Sequence, residues 1–298
     1  MNGVSVQIAQ CDRDDLRRQR SRRGGFSLIE LLVTLATIAL LVGLLLPTLG
    51  AARNTARQTV CLSNQRQLVT AWTMYANTYR DFAMPAASFG EDDGGSGATY
   101  WWGRVDADVD GTTRVEHRAG FIADFVEADL TQKSVFECPA QPWGSYRAQA
   151  AQQPTSTYGY NGYYLTPSRT PGWAGVIGAR PWRKVVDIRM PTSVFVFADS
   201  MISLQGLRNC ALLDPPLLYD GNAGWYNNWS PTTSFRHGGN ASRVIAGAAV
   251  TARADGSVRA VQGEQAWLSA GNTGVIGSVG GATQAALGEH YVPDWREW

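Results

Sequence analysis

Residues 24–49 read GGFSLIELLVTLATIALLVGLLLPTL, and the organisation of the whole chain follows from this stretch. Its only charged residue is Glu30. A helix rises about 1.5 Å per residue, so about 20 apolar residues span the hydrocarbon core of a bilayer. The stretch therefore predicts one transmembrane helix over residues 26–49.

Arginines flank this apolar stretch unequally. Two follow it, Arg53 and Arg57, and six precede it, at positions 13, 17, 18, 20, 22 and 23. The flank that is richer in positive charge stays in the cytoplasm when a helix inserts. We therefore expect a single-pass protein of the inner (cytoplasmic) membrane, with a cytoplasmic N-terminus and an extracytoplasmic C-terminal domain.

Glu30 is the unusual residue of the stretch, because a carboxylate in an apolar run is costly unless it finds a partner. In one interpretation Glu30 lies near the interface and reaches water. In the other, a cut between Gly25 and Phe26 creates an amino group close to Glu30 in sequence. That amine could then meet the Glu30 carboxylate of a neighbouring copy, so that each buried charge has a counter-charge.

The residues around Gly25 resemble a known processing site. The sequence GFSLIE at 25–30, with a basic leader before it, resembles the cleavage site of type IV prepilins and type II secretion pseudopilins. The resemblance implies that a prepilin peptidase cuts after Gly25 and N-methylates Phe26, and that Glu30 guides assembly. Pro47 matches the helix-kinking proline of many of these proteins. The resemblance covers about the first 60 residues.

The C-terminal half carries a second, looser resemblance. It is similar to a family of bacterial prepilin-like proteins whose C-terminal domain contains a His, about nine residues, and then Asp-Gly. The matching segments are 136–139, 158–163, 191–200, 236–239 and 255–256. Here 17 residues lie between His237 and Asp255-Gly256, which predicts a longer hairpin and puts a shared His–Asp geometry in doubt. The resemblance implies no known enzymatic activity.

The composition is that of a globular chain attached to a membrane segment. Hydrophobic residues make up 44% and charged residues 17%, and the net charge is +1. The leader 1–25 holds six arginines against three aspartates, so the part after residue 25 has a net charge of about −2. Nucleic acid is therefore not an expected partner, because the basic cluster belongs to a segment that is removed.

The chain after the membrane segment predicts a pilin-like α+β fold. Apolar residues at 68, 72, 75 and 79 share one helical face, so the helix should continue over 50–84 and pack on a domain formed by 85–298. Pro47 should bend this helix rather than end it; two helices with a break at Gly50 are the alternative. Strands are expected at 134–138, 158–165 (with an Asn-Gly turn), 194–198, 244–250 and 257–261, a short helix at 119–130, and a long loop at 205–234.

One acidic motif could bind a cation. Asp106, Asp108 and Asp110, followed by a glycine, fit the first half of a calcium loop. Position 12 of that loop is His117 rather than glutamate. A solvated acidic turn is the favoured interpretation and a Ca²⁺ site is the alternative; otherwise no cofactor is expected.

His237 is the candidate for a catalytic pair, with Asp199 or Asp255 as its acidic partner. No nucleophile motif and no metal-ligand spacing accompanies it in the sequence. A structural histidine in a Gly-rich turn is therefore favoured, with Asp255 and Gly256 also structural.

Three cysteines remain once Cys11 leaves with the leader: Cys61, Cys138 and Cys210. An extracytoplasmic compartment is oxidising, so one pair could form a disulfide. Cys61 with Cys138 is the pair that the family resemblance implies, although connectivity cannot be deduced from the sequence.

The expected function is that of a pilin- or pseudopilin-like structural subunit and not an enzyme. Its partners would be the prepilin peptidase, other subunits, the assembly platform and the membrane. Its product would be either a type IV pilus, which is a filament at the cell surface, or a secretion pseudopilus. The alternatives are a membrane-tethered binding module, with aromatic loops at 100–102, 143, 173, 182 and 225–229 as a glycan surface, and an envelope hydrolase that uses His237.

Overall fold

The computed structural model describes residues 25–89, 97–107, 113–127, 134–141, 155–172, 174–203, 207–238, 247–266, 276–279 and 288–298. Its contacts divide the chain into two compact units, Met1–Leu49 and Gly50–Trp298. The predicted α+β class is confirmed, with one long apolar N-terminal helix and antiparallel sheets.

In the described residues the regular secondary structure is one long α-helix, two one-turn α-helices and short strands, with several 3₁₀ turns between them. The helices are α1 (Leu28–Thr78), α2 (Gly162–Leu165) and α3 (Ala174–Ile177). The strands are β1 (Ala87–Phe89), β2 (Ala98–Tyr100), β3 (Gly103–Ala107), β4 (Thr113–Glu116), β5 (Tyr158–Tyr160), β6 (Phe195–Asp199), β7 (Ile202–Ser203), β8 (Leu207–Arg208), β9 (Leu217–Asp220), β10 (Gly224–Asn227), β11 (Ala248–Arg253), β12 (Val258–Gln262), β13 (Gln265–Ala266) and β14 (Gly277–Ser278).

Helix α1 is a single element of 51 residues that runs through Pro47 and Gly50. The alternative of two helices with a break at Gly50 is therefore wrong, while a bend at Pro47 stays a prediction. The helix ends at Thr78, before the predicted residue 84. There the Asp81 N–H donates to the carbonyl of Ala76, and left-handed backbone at Arg80 and Asp81 stops the helical repeat.

The part of α1 up to Leu49 exposes its apolar side chains. Leu28 is 77% and Leu46 is 65% exposed. The helix has a mean hydropathy of 2.6 over its most apolar window, and none of that window is buried. Among the described residues it is the one helix long and apolar enough to cross a membrane, judged by length and composition.

The part of α1 after Gly50 buries one face in the domain. Leu68, Trp72 and Tyr75 lie in the core, as the sequence pattern predicts. Tyr79 is 48% exposed instead, and its ring stacks on Tyr75 with 4.3 Å between ring centroids. A polar side chain also links the helix to the sheet: Gln65 Nε2 donates to the carbonyl of Val250 in β11 at 2.7 Å.

The helix packs on an antiparallel sheet of order β12-β11-β6-β5. Its two central strands, β6 and β11, are buried along their whole length. The predicted strands at 194–198 and 257–261 are confirmed within one or two residues. Of the strand expected at 244–250, residues 248–250 lie in β11, and residues 244–246 lie outside the described residues. A turn with Gly256 at φ 80° joins β11 to β12.

The remaining strands form small antiparallel sheets. One has the order β1-β2-β3-β4, and the others are the pairs β7–β8, β9–β10 and β13–β14. The β9–β10 hairpin lies within residues 205–234, which the sequence predicts as a loop. Its turn is held by Asp220, whose carboxylate accepts the N–H groups of Asn222 and Ala223.

Three further local predictions are wrong. Residues 134–138 form turns rather than a strand, and the described part of 119–130 contains a 3₁₀ turn at Ala123–Phe125 rather than a helix. The Asn-Gly pair starts α2 instead of a hairpin turn. Asn161 accepts the N–H of Tyr164 and donates to the carbonyls of Phe195 and Tyr291, so tertiary contacts select the helix cap.

Burial of the α1 face predicts a matched pair of stability effects. Leu68→Ala should lower the free energy of unfolding by about 2–5 kcal/mol, because it leaves a cavity in the core. Val60→Ala, on the same helix but 49% exposed, should change it by less than about 0.5 kcal/mol. Denaturant unfolding of the full chain in detergent, followed by tryptophan fluorescence, measures both, and equal effects would contradict the packing described here.

Candidate functional site

Four side chains with metal-binding or catalytic chemistry meet inside the domain. Cys61 comes from α1, Cys138 from a turn, Asp199 from the end of β6, and His237 from the segment beside β11. Their exposed fractions are 0%, 0%, 0% and 2%. We call these residues the buried cluster.

Asp199 is placed by the central sheet. Strand β6 pairs with β5 on one side and β11 on the other, and the carboxylate accepts the backbone N–H of Val250 in β11 at 2.7 Å. Cys61, on the buried face of α1, brings its Sγ to 3.3 Å from Asp199 Oδ1. The hydroxyl of Tyr158 donates to the same sulfur at 3.4 Å.

Cys138 is placed by the hydrogen bonds of a turn. Its N–H donates to Thr157 Oγ1 at 2.6 Å, and its carbonyl accepts the N–H of Gln141 at 2.9 Å. Thr157 also donates its own N–H to the carbonyl of Phe136 at 3.0 Å. These bonds hold the turn against the start of β5.

His237 is held beside β11 by a pair of backbone hydrogen bonds with Ala248, of 3.0 and 2.7 Å. The next residue, Gly238, has φ 68°, a left-handed conformation that glycine adopts without strain. The chain can therefore turn away directly after His237, which gives the His-Gly pair a structural reason.

A single nitrogen of His237 faces the rest of the buried cluster. Its Nε2 lies 3.1 Å from Asp199 Oδ2 and 3.4 Å from Cys138 Sγ. Its Nδ1 is buried and has no hydrogen-bond partner among the described residues. The donor atoms of the four residues all lie within 4.8 Å of one another.

Arg236 balances the charge of the buried cluster. Its guanidinium donates to Gln141 Oε1 at 2.9 Å and to the carbonyl of Thr157 at 3.4 Å. Burial would raise the pKa of Asp199, but Arg236 and His237 outweigh burial and lower it. Burial also disfavours the charged imidazole, yet the hydrogen bonds and charges of Asp199 and Cys138 raise the pKa of His237 to about 9.

The surroundings shift the two thiols in opposite directions. Burial, together with Cys138 and Asp199, raises the pKa of Cys61 well above its usual value. Burial acts in the same direction on Cys138, but hydrogen bonds from Cys61 and His237 and the charge of Arg236 lower its pKa to about 6. Of the two sulfurs, Cys138 is the one at which the surroundings favour a thiolate.

Two kinds of chemistry use this set of residues. Thiolate, imidazole and carboxylate are ligands of transition metals, so all four residues could hold an ion. A thiolate beside a histidine is also the arrangement of a cysteine nucleophile. A catalytic histidine, however, uses one nitrogen for the nucleophile and the other for its carboxylate. His237 presents Nε2 to both, and the sulfur of Cys138 is closed to solvent, so the geometry does not fit nucleophilic catalysis.

The structure distinguishes between the two acidic partners that the sequence offers for His237. His237 pairs with Asp199 and not with Asp255, whose carboxylate lies in the exposed β11–β12 turn and accepts the N–H of Ser257. Cys61 and Cys138 are neighbours and are free thiols in this structure, and a disulfide between them stays a prediction. Cys210 is also a free thiol.

The predicted processing residues lie at the start of α1. Gly25, Phe26 and Ser27 precede the helix and are exposed. Ser27 Oγ accepts the N–H of Glu30 at 3.1 Å, and the Glu30 carboxylate accepts the N–H of Ser27 at 2.9 Å. This reciprocal pair is a capping box, which satisfies two helix donors. The sequence analysis missed this local role of Glu30, although the spacing Ser-x-x-Glu is its pattern.

The calcium motif is only partly within the described residues. Asp108 and Asp110 lie outside them. Asp106 lies on β3, where its carboxylate accepts a hydrogen bond from Arg104 Nε at 2.9 Å. A calcium site here stays a prediction.

The aromatic residues mostly pack rather than form an open platform. Trp101 is fully buried, and Tyr100 stacks on Trp102 with 5.6 Å between ring centroids. Both rings line a cleft of about 260 Å³, which is below the usual 300–1,000 Å³ of ligand pockets. Trp229 is 83% exposed, and residues 143 and 173 lie outside the described residues.

Comparison with family models, with curated proteins and with solved structures finds no match for this chain.

The pairing of His237 predicts which carboxylate matters for folding. Asp199→Asn keeps the shape but leaves the charges of His237 and Arg236 uncompensated, so it should lower the free energy of unfolding by about 3–5 kcal/mol. The matched control is Asp255→Asn, which weakens one exposed turn and should cost less than about 1 kcal/mol. Equilibrium unfolding of the two variants measures the difference, and a larger effect at Asp255 would refute the assignment.

Proposed function

We propose that this protein is a membrane-anchored, pilin-like structural subunit. It is cut after Gly25 by a prepilin peptidase, N-methylated at Phe26 and assembled through its N-terminal helix into a type IV pilus or a secretion pseudopilus. Its chemistry is recognition between subunits rather than catalysis.

The proposal rests mainly on the first half of α1. Large apolar side chains cover this part of the helix on all sides and are exposed, so the helix needs either lipid or other helices around it. Glu30 is its one charge. A plain lipid anchor has no use for that carboxylate, whereas a helix that packs among its copies can pair it.

The Gly25–Phe26 junction supports processing. It lies outside α1 and is exposed, with Phe26 76% exposed. A peptidase needs an accessible, non-helical bond, and this bond satisfies both conditions. The cut also creates the amino group that Glu30 requires as a partner.

The capping box offers a mechanism for the change of partner. Among the described residues the Glu30 carboxylate accepts the N–H of Ser27, an exposed hydrogen bond that contributes about 1 kcal/mol. After the cut, the charged amine of Phe26 on a neighbouring copy is a stronger partner in a low-dielectric surrounding. Glu30 can therefore cap its own helix before assembly and pair between subunits afterwards.

The remaining partners follow from topology. With six arginines before α1, the N-terminus stays in the cytoplasm and the domain after Gly50 lies outside the inner membrane. The partners in this proposal are the prepilin peptidase, other subunits, the assembly platform and the membrane.

A membrane-tethered binding module is the second candidate. The cleft beside Tyr100 and Trp102 favours it, because these rings could stack on a sugar. The small volume of the cleft and the buried position of Trp101 favour the structural subunit instead. The two candidates also differ in what they require of Glu30.

Processing predicts a defined mass. The protein purified from membranes of its own host should have the mass of residues 26–298 plus one methyl group. Gly25→Leu should leave the full-length mass, because the added side chain obstructs the peptidase. A Cβ at Gly25 meets no atom within 4 Å, so the substitution does not disturb the fold. Intact-mass spectrometry makes both measurements, and a full-length wild-type mass beside an active prepilin peptidase would contradict the proposal.

Assembly predicts a specific loss in Glu30→Ala. This variant should still insert, be processed and fold, but it should not form filaments or cross-linkable oligomers, because the Phe26 amine of its neighbour has no counter-charge. Cross-linking in membranes and electron microscopy of sheared filaments measure the loss.

Ser27→Ala is the matched control for Glu30→Ala. It removes the hydroxyl that caps the helix but keeps the carboxylate, so it should assemble. If both variants lose assembly alike, the capping box explains Glu30 and intersubunit pairing is refuted. If neither loses assembly, the tethered module is favoured.

A further inference from the structure

The buried cluster has the geometry of a coordination site. Around a tetrahedral ion with bonds of about 2.0–2.1 Å to N or O and about 2.3 Å to S, neighbouring ligand atoms lie about 3.3–3.8 Å apart. Here the separations are 3.1 Å for His237 Nε2 to Asp199 Oδ2, 3.4 Å for the same nitrogen to Cys138 Sγ, and 3.3 Å for Cys61 Sγ to Asp199 Oδ1. These three separations lie within a few tenths of an ångström of coordination values, and one donor atom from each of the four residues lies within 4.8 Å of the others.

We propose that Cys61, Cys138, Asp199 and His237 bind one zinc ion that fastens α1 to the central sheet. The ligands would be both sulfurs, one carboxylate oxygen of Asp199 and Nε2 of His237. This site is independent of the assembly proposed above, since it lies wholly within the unit Gly50–Trp298.

The donor set selects the class of metal. Two thiolates and an imidazole favour a borderline or soft ion over Ca²⁺ or Mg²⁺, which prefer oxygen ligands. Zn²⁺ suits a four-coordinate set of two sulfurs, one nitrogen and one oxygen, because structural zinc sites are almost always tetrahedral with four protein ligands. Co²⁺ accepts the same geometry and is a visible probe for it.

The site is closed, which makes it structural. All four ligands come from the protein, and their side chains have no access to solvent. Catalytic zinc keeps one position for water or substrate, and this arrangement leaves none. The proposed role is therefore to hold the fold and not to activate a substrate.

The charge of the ion is compensated by its ligands and by Arg236. Zinc is held by thiolates, a carboxylate and a neutral imidazole, so any protons on these ligands leave to solvent when the ion enters. The three negative ligands exceed the charge of Zn²⁺ by one. The part-buried guanidinium of Arg236, which interacts with Asp199 and both cysteines, offsets this remaining negative charge.

Groups around the ligands already orient them. The Val250 N–H holds Asp199 Oδ2 at 2.7 Å, and Tyr158 donates to the sulfur of Cys61. Asn64 in turn donates to the Tyr158 hydroxyl at 3.3 Å. Supporting hydrogen bonds of this kind fix the direction of metal ligands.

The ion would act as a staple between distant parts of the chain. Cys61 and Asp199 are 138 positions apart, and Cys138 and His237 are 99 apart. Closing such long loops restricts the unfolded chain most. A Cys61–Cys138 disulfide is the competing product, and it excludes zinc because disulfide sulfurs are not thiolate ligands.

The first experiment measures metal and thiols in one sample. The full chain is purified in detergent without chelators, its zinc content is measured by elemental mass spectrometry, and its disulfides are mapped by alkylation. We expect one zinc per chain and no Cys61–Cys138 bond. Replacement with Co²⁺ should give thiolate-to-cobalt charge-transfer bands and the d–d bands of a tetrahedral ion.

Matched variants identify the ligands. Cys138→Ser and His237→Gln should lose the stoichiometric ion and the corresponding part of the cobalt spectrum. The controls are Cys210→Ser and His290→Gln, since neither residue belongs to the buried cluster, and both should keep one ion per chain. Tyr158→Phe leaves all ligands in place and should weaken zinc binding by about tenfold, so it reports on the site even if a ligand variant does not fold.

Three results would overturn the proposal. One is a wild-type chain that takes up neither Zn²⁺ nor Co²⁺ stoichiometrically after reconstitution. Another is an intact Cys61–Cys138 disulfide in protein from the host. The third is a metal content that falls equally in Cys210→Ser and Cys138→Ser.

Discussion

The carboxylate of Asp199 is the group around which the domain is arranged. It is fully buried at the end of a central strand, where an unpaired charge would be very costly. Its neighbours come from different parts of the chain: the Val250 N–H from β11, the sulfur of Cys61 from α1, and the imidazole of His237, with the charge of Arg236 nearby. Satisfying this one charge therefore brings the helix, the sheet and the segment before β11 together.

Helix α1 meets two different environments along one continuous element. Up to Leu49 its apolar side chains are exposed, whereas after Gly50 it buries a face of Leu68, Trp72 and Tyr75 against the domain. Only the part after Gly50 is compatible with water around its exposed face. The part up to Leu49 exposes apolar side chains and therefore needs lipid or neighbouring helices around it. In the proposed assembly, Glu30 exchanges its capping bond to Ser27 for a charged partner on a neighbouring copy.

The buried cluster shows why a Cys-His-Asp set need not be a catalytic site. Its residue types are those of a cysteine nucleophile with its base, but Nε2 of His237 serves both partners and no atom of the set is open to solvent. Atoms that converge in this way can bind one ion or share protons through hydrogen bonds. Either arrangement links the helix and the strands that carry these residues. In a chain with short strands and long connections, such a central link contributes stability that regular secondary structure does not supply.

Features that depend on local pattern could be predicted from the sequence. The apolar run with Glu30, the buried face of α1 and the β6 and β12 strands follow from the order of apolar and polar residues, because this order sets which face of an element avoids water. The partners of polar side chains depend on tertiary packing. Asn161 caps α2 because the carbonyls of Phe195 and Tyr291 accept hydrogen bonds from its side chain. His237 pairs with Asp199 rather than Asp255 because its backbone is bonded to β11, which lies next to β6. Cys61, Cys138, Asp199 and His237 are far apart in sequence and share no short motif, so only the packing of α1 on the sheet brings them together.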